Sequence, residues 1–128
     1  MRKIIFFIVL IGGLVLTGCR QTKKITASSD EGKIIASTSW TAAFADIAGA
    51  EQVKIIAPAS LQHPPEYEIT VSDIQTIEKS QYFIYAGFER MMQTLGTAIE
   101  GVNMVKISCD NSIETVKKSA YQIAKVTG

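Results

Sequence analysis

The residues of this chain best suited to chemistry lie in one short stretch, Gln62-His63-Pro64-Pro65-Glu66-Tyr67-Glu68. His63 is the only histidine. An imidazole nitrogen and carboxylate oxygens, here from Glu66 and Glu68, form a donor set that suits zinc or manganese. Pro64 and Pro65 each fix their own φ and push the preceding residue towards extended backbone. A loop stiffened in this way loses little entropy when it orders around an ion. A single histidine in a proline-rich loop is usually a plain surface residue, so the surroundings of the loop decide between the two readings.

Those surroundings alternate between short apolar runs and helical periodicity. Ile34-Ile35-Ala36-Ser37 reads as a strand, and residues 41–48 as a helix ended by Gly49. A second apolar run, residues 53–57, ends at Pro58, just before the His63 loop. A helix starts near Thr70 or Ser72, with Val71, Ile74 and Ile77 on one face. Tyr82-Phe83-Ile84-Tyr85-Ala86 is a third strand, closed by Gly87. Phe88, Met91, Met92, Leu95 and Ile99 predict a helix stopped by Gly101, and residues 104–107 a fourth strand. Asn111 and Glu114 have capping-box character before a last helix bearing Ile113, Val116, Ala120, Ile123 and Ala124. The order β-α-β-α-β-α-β-α predicts an α/β fold: a four-stranded parallel sheet with helices on both faces. The uninterrupted apolar runs fit strands covered on both sides.

In open sheets of this kind, ligands bind beyond the carboxyl ends of the strands. The loops leaving those ends carry Ser37, Thr38, Ser39 and Trp40, then the His63 segment, then Glu89, then Cys109, Asp110 and Asn111. Ser39, Trp40, Tyr67 and Glu89 are therefore expected to line the ligand cleft. For Ser39 and Asn111 a helix-capping role is the favoured alternative, and for Trp40 plain packing is the alternative.

The 128 residues amount to one ordinary domain. The formal charge is +1, falling to −1 without Arg2 and Lys3, and no basic stripe points to nucleic acid. Met1-Arg2-Lys3 is a positive start, and residues 4–16 are apolar apart from Gly12 and Gly13. That run falls short of the ~20 residues of a membrane span and reads as an export signal over residues 1–18. It ends in Leu16-Thr17-Gly18-Cys19, which resembles a bacterial lipoprotein cleavage box. Cys19 would become the lipidated N-terminus, holding the protein on the outer side of the cell membrane by two or three acyl chains. Residues 20–32 are polar and aperiodic, a tether reaching roughly 20 Å as a random coil. With Cys19 committed to lipid, Cys109 has no disulfide partner within the chain. It reads as a small buried hydrophobe at a strand end rather than a catalytic thiol.

Several catalytic signatures are missing from the sequence: no Gly-x-Gly-x-x-Gly or P-loop follows the first strand, and no Gly-x-Ser-x-Gly elbow occurs. A catalytic zinc centre normally needs three protein ligands. One histidine with neighbouring carboxylates suits capture of an ion better than catalysis, so no enzymatic role and no catalytic cofactor are expected.

The lipobox, Ile34-Ile35-Ala36-Ser37-Thr38-Ser39-Trp40, Ile56-Ala57-Pro58, His63-Pro64-Pro65-Glu66-Tyr67-Glu68, Ser72-Asp73-Ile74 and Tyr85-Ala86-Gly87 follow one another in order. From residue 33 onward this resembles the N-terminal lobe of the zinc/manganese-type solute-binding lipoproteins of ABC transporters. The resemblance implies one lobe of a two-lobed, periplasmic-binding-protein-like fold, with a rigid helix joining the lobes and the metal between them. It implies that residues 33–128 form the first lobe, and that a second lobe outside these residues supplies further ligands. It implies His63 as a metal ligand and an ABC permease with its ATPase as partners, while Glu66 and Glu68 are candidate ligands from the donor chemistry of the loop alone. Family members commonly carry the histidine directly after a proline and beside the Tyr-Glu segment; here Pro65 stands there and His63 lies two residues earlier. The alternatives are a solute-binding lipoprotein for a non-metal ligand, with Trp40 and Tyr67 as an aromatic wall, or a surface lipoprotein with an interaction role.

Overall fold

The computed structural model describes residues 33–96 and 99–128. The export signal, Cys19 and the tether lie outside the described residues. The elements are β1 (Ile34–Ala36), α1 (Ser39–Ile47), β2 (Lys54–Ile55), one turn of 3-10 helix (Pro64–Glu66), α2 (Val71–Glu78), β3 (Tyr82–Tyr85), α3 (Met91–Leu95), β4 (Asn103–Lys106) and α4 (Ile113–Thr127). All strand pairs are parallel and the order across the sheet is β2-β1-β3-β4. The expected α/β architecture with a four-stranded parallel sheet is present.

Strand side chains alternate between the two faces. On one face Ile34, Ile84 and Val105 pack against Phe44 and Ala45 of α1 and Ile123 of α4. On the other, Ile35 and Phe83 pack against Ile77 of α2 and Met91 and Leu95 of α3. Phe83, Ile84 and Ile77 are fully buried, each contributing about 2 kcal/mol by leaving water. The expectation of strands covered on both sides holds at the central β1 and β3. It fails at the edge strand β4, where only Val105 is buried and Met104 is 38 % exposed.

The helix ends follow local hydrogen bonding, and several differ from expectation. Thr38, not Ser39, caps α1, in a reciprocal pairing with Thr41. At the other end Gly49 adopts φ +84°. Its N–H donates to Asp46 and that of Ala50 to Ala45, which satisfies carbonyls the helix leaves open. Thr70 caps α2 with Asp73 as its reciprocal partner. Ser112, not Asn111, caps α4, because Asp110 already holds the approach through the Ser112 N–H and the Thr115 hydroxyl.

The helix expected from Phe88 onward shrinks to Met91–Leu95, with Gly96 at its end. Phe88 is 59 % exposed, since Glu89 turns back into the sheet instead of continuing a helix. Val71 and Ile113, placed by periodicity on buried faces, sit in first helical turns that extend past the sheet and are exposed.

Candidate functional site

Reading outward from β1, the chain reaches β2 on one side and β3 and β4 on the other. The direction of winding therefore reverses between β1 and β3, the place in such sheets where the loops leaving two neighbouring strands run to opposite sides. Ser37 and Thr38 leave β1 there, and Ala86 to Glu89 leave β3.

Glu89 was expected to line the cleft, but it lies inside the wall and is 2 % exposed. Its Oε1 accepts from the Ser37 hydroxyl at 2.5 Å and from the Ala86 N–H at 2.8 Å, and its Oε2 accepts from the Gly87 N–H at 2.6 Å. A buried carboxylate is tolerated when donors surround it in this way. The bonds bind the exits of β1 and β3 to one another. No buried side-chain nitrogen or oxygen among the described residues lacks a partner.

Gly87 has φ +96°, a conformation other residues adopt at a cost. The Lys106 chain crosses directly over it, so a Cβ at this position would come within 2.5 Å of Lys106 Cε. Ser39 is half-buried within the first turn of α1, and Trp40, beside it, is 54 % exposed and available on the rim.

The His63 loop is built differently. Pro64 is buried and Pro65 half-buried, and the 3-10 turn they start is closed by Glu66 N–H to His63 and Tyr67 N–H to Pro64. The Arg90 N–H donates to the Pro65 carbonyl at 2.8 Å, which ties this loop to the exit of β3. His63 itself is exposed. It shares an open hollow of about 580 Å³ with Leu61, Glu66, Tyr67 and Glu68. Glu68 pairs with Arg90 at 3.0 Å, with both side chains largely in solvent.

The structure thus brings His63, Glu66 and Glu68 to one hollow. Among the described residues, no three His, Cys, Asp or Glu side chains converge closely enough to hold an ion between them.

Tyr67 faces two ways. Its ring borders this hollow, while its hydroxyl donates to Asp73 Oδ2 at 2.8 Å. That bond, with burial and the Asp73 charge, raises the phenol pKa above its ordinary value. Burial works against ionisation of Asp73. The hydrogen bonds from the Thr70 hydroxyl and N–H and from Tyr67, together with the Lys54 charge, outweigh it and hold the carboxyl below its ordinary range. Trp40 and Tyr67 form no stacked wall; the ring pair among the described residues is Phe83–Tyr85, at 6.0 Å.

A second hollow, about 400 Å³, lies between the exits of β3 and β4 and the side of α4. Phe88, Lys106, Cys109, Thr115 and Lys118 line it, and no histidine does. Cys109 is half-buried, three residues beyond β4. Burial, then the Glu89 and Asp110 charges, push its thiol up to about 11. The sequence reading missed Lys106 here. The available signal was a lysine ending an apolar strand opposite a glycine that ends the neighbouring one.

No family model, curated protein or solved structure matches this chain.

Proposed function

We propose that the chain is the N-terminal lobe of an extracytoplasmic metal-binding component of an ABC importer, lipid-anchored through Cys19, with zinc or manganese as its cargo. One observation carries this reading. The only histidine stands exposed on a proline-stiffened turn, at a hollow that opens to one side and holds two carboxylates. The order of motifs that resembles the zinc/manganese-type receptors supports it, as does a parallel sheet of the kind each lobe of such a receptor needs.

The role is capture, not catalysis. The exposed imidazole of His63 offers a ring nitrogen without prior unfolding of the loop. Glu66 adds a carboxylate, and Glu68 becomes available by exchanging Arg90 for the ion. The remaining donors come from a second lobe, and closure of the two lobes completes the coordination sphere before delivery to the permease. The Glu89 staple and the Arg90–Pro65 hydrogen bond support this by holding the rim in place, so that the ion meets a preorganised platform.

The test is competition against a chromophoric chelator, using the intact two-lobed receptor. His63→Ala should weaken zinc or manganese binding by about 3 kcal/mol, roughly a hundredfold, since one of about four ligands is lost. Unchanged affinity for both metals removes His63 from the site.

A second reading, a receptor for an organic solute, is favoured by Trp40 and Phe88, both more than half exposed where the chain leaves β1 and β3. A Trp40 fluorescence change with an organic solute, absent with either metal, would put that reading first.

A further inference from the structure

The charges of the molecule are segregated. Eight lysines and arginines occur among the described residues, and four of them, Lys106, Lys117, Lys118 and Lys125, belong to β4 and α4. All four are exposed, and none is in an ion pair among the described residues. Only two of the ten described carboxylates, Asp110 and Glu114, lie beyond residue 102, both at the start of α4. From Thr115 onward the helix carries three lysines and no acid.

A solvated helix face ordinarily mixes its charges, and beyond Glu114 in its first turn this one carries positive charge alone. Lys117, Tyr121 and Lys125 follow one another at intervals of four, which places them in one row, with Lys118 alongside. The opposite face buries Ser119, Ala120 and Ile123 in the fold. Tyr121 is 73 % exposed in the middle of the basic row. With its apolar side buried in the fold, the helix offers outward a basic row around one exposed aromatic ring, a surface that suits an anionic lipid headgroup layer by charge.

The placement agrees. Gln122 Nε2 donates to the Lys106 carbonyl and the Ser119 hydroxyl to that of Ser108, so α4 runs back along β4 in the opposite direction. Lys125 therefore lies at the end of the sheet where β1 begins, and β4 forms one edge of that sheet. β2, which leads into the His63 loop, forms the opposite edge of the sheet.

We infer that the outward face of α4 (Lys117, Lys118, Tyr121 and Lys125, with Lys106 beside it) docks on an anionic phospholipid surface, laying the domain on its β4 edge and leaving the His63 hollow open to solvent. The inference rests on the lipid-anchor reading for its membrane, but the α4 face can be tested separately.

The experiment adds the chain as processed in a bacterial host and extracted in detergent to preformed vesicles. A water-soluble acetylating reagent then labels the lysines, and mass spectrometry reads each one. With phosphatidylglycerol in the vesicles, Lys117, Lys118 and Lys125 should react roughly fivefold or more slowly than on pure phosphatidylcholine, as expected for ammonium groups held at a charged surface. The protection should vanish in 0.5 M salt, where the Debye length shrinks to a few Å. Lys54, on the far edge, should react equally throughout.

Lys117→Glu with Lys125→Glu, both at exposed positions, should abolish the protection of Lys118 while leaving the fold intact by circular dichroism. Equal labelling on the two lipids overturns the inference. So does protection on both lipids, which would mean that protein covers the face. Flotation with the vesicles in 0.5 M salt, where the docking is released, reads the anchor independently. A chain that floats without lipid-specific protection keeps its anchor and loses the docking face. A chain that fails to float yet shows salt-sensitive protection keeps the face and loses the anchor. A chain that does neither loses both.

Discussion

The exits of β1 and β3 and the loop after β2 lie on the same rim and are built by opposite means. At the first, a carboxylate is buried and each of its contacts is a hydrogen bond from within the fold. At the second, an imidazole and two carboxylates stand in solvent on a turn stiffened by proline rings. The first region gains stability and cannot exchange partners. The second contributes little stability and keeps its donors exposed, with Glu68 held only by an exposed ion pair to Arg90. A polar side chain at a strand exit thus has two possible roles, and its burial tells which one it serves.

Substitutions can sharpen or break this contrast. The largest effect is expected at Glu89. Glu89→Ala strands the Ser37 hydroxyl and the Ala86 and Gly87 N–H groups, and should cost about 3 kcal/mol in urea denaturation. A loss below about 1 kcal/mol would mean that the carboxylate is not a staple.

Gly87→Ala follows, at about 1 to 2 kcal/mol, from its positive φ, while the exposed end of the Lys106 side chain swings away from the added Cβ at little cost. Adding Lys106→Ala should therefore recover less than about 0.5 kcal/mol, and a larger recovery in a double-mutant cycle would mean that the lysine is held rigidly over the glycine.

Tyr67→Phe should cost about 1 kcal/mol through the lost hydrogen bond to Asp73. The same pair sets a pH dependence. The Asp73 carboxyl is held below its ordinary value in the folded state, so the stability it adds is complete above that value and is lost as pH falls through the folded-state value. Acid unfolding monitored by circular dichroism should accordingly begin at higher pH in Tyr67→Phe, whereas Asp73→Asn should remove this part of the acid limb.

His63→Ala should be the mildest, within about 0.5 kcal/mol in stability, because the side chain is exposed. A large stability loss there would erase the distinction between the two regions.

Element type and order were legible in the sequence because a parallel sheet buried on both faces writes its strands as apolar runs, as at Ile34-Ile35-Ala36 and Phe83-Ile84. The exact caps were less legible. Thr38, Ser39, Asn111 and Ser112 all have suitable side chains, and partners three residues on, or an Asp two residues earlier, decide which is used.

The periodicity from Phe88 to Ile99 misled because it registers apolar spacing and is blind to a carboxylate drawn inward by two backbone N–H groups. The importance of Glu89 could be placed on the rim from its position in the sequence. Its burial could not, because that depends on Ser37, 52 residues away. His63 was legible as a rim residue from the strand before it and the prolines after it.

The acidity of Cys109 bears on how readily an unpaired thiol is drawn into mixed disulfides. With its thiol pushed up to about 11, only about one molecule in ten thousand carries the reactive thiolate at pH 7. Exchange with foreign disulfides slows with that fraction. Burial first, and then the carboxylates Glu89 and Asp110 that serve as staple and cap, therefore also passivate the one sulfhydryl among the described residues, so that an odd cysteine needs no second one to keep it from exchange.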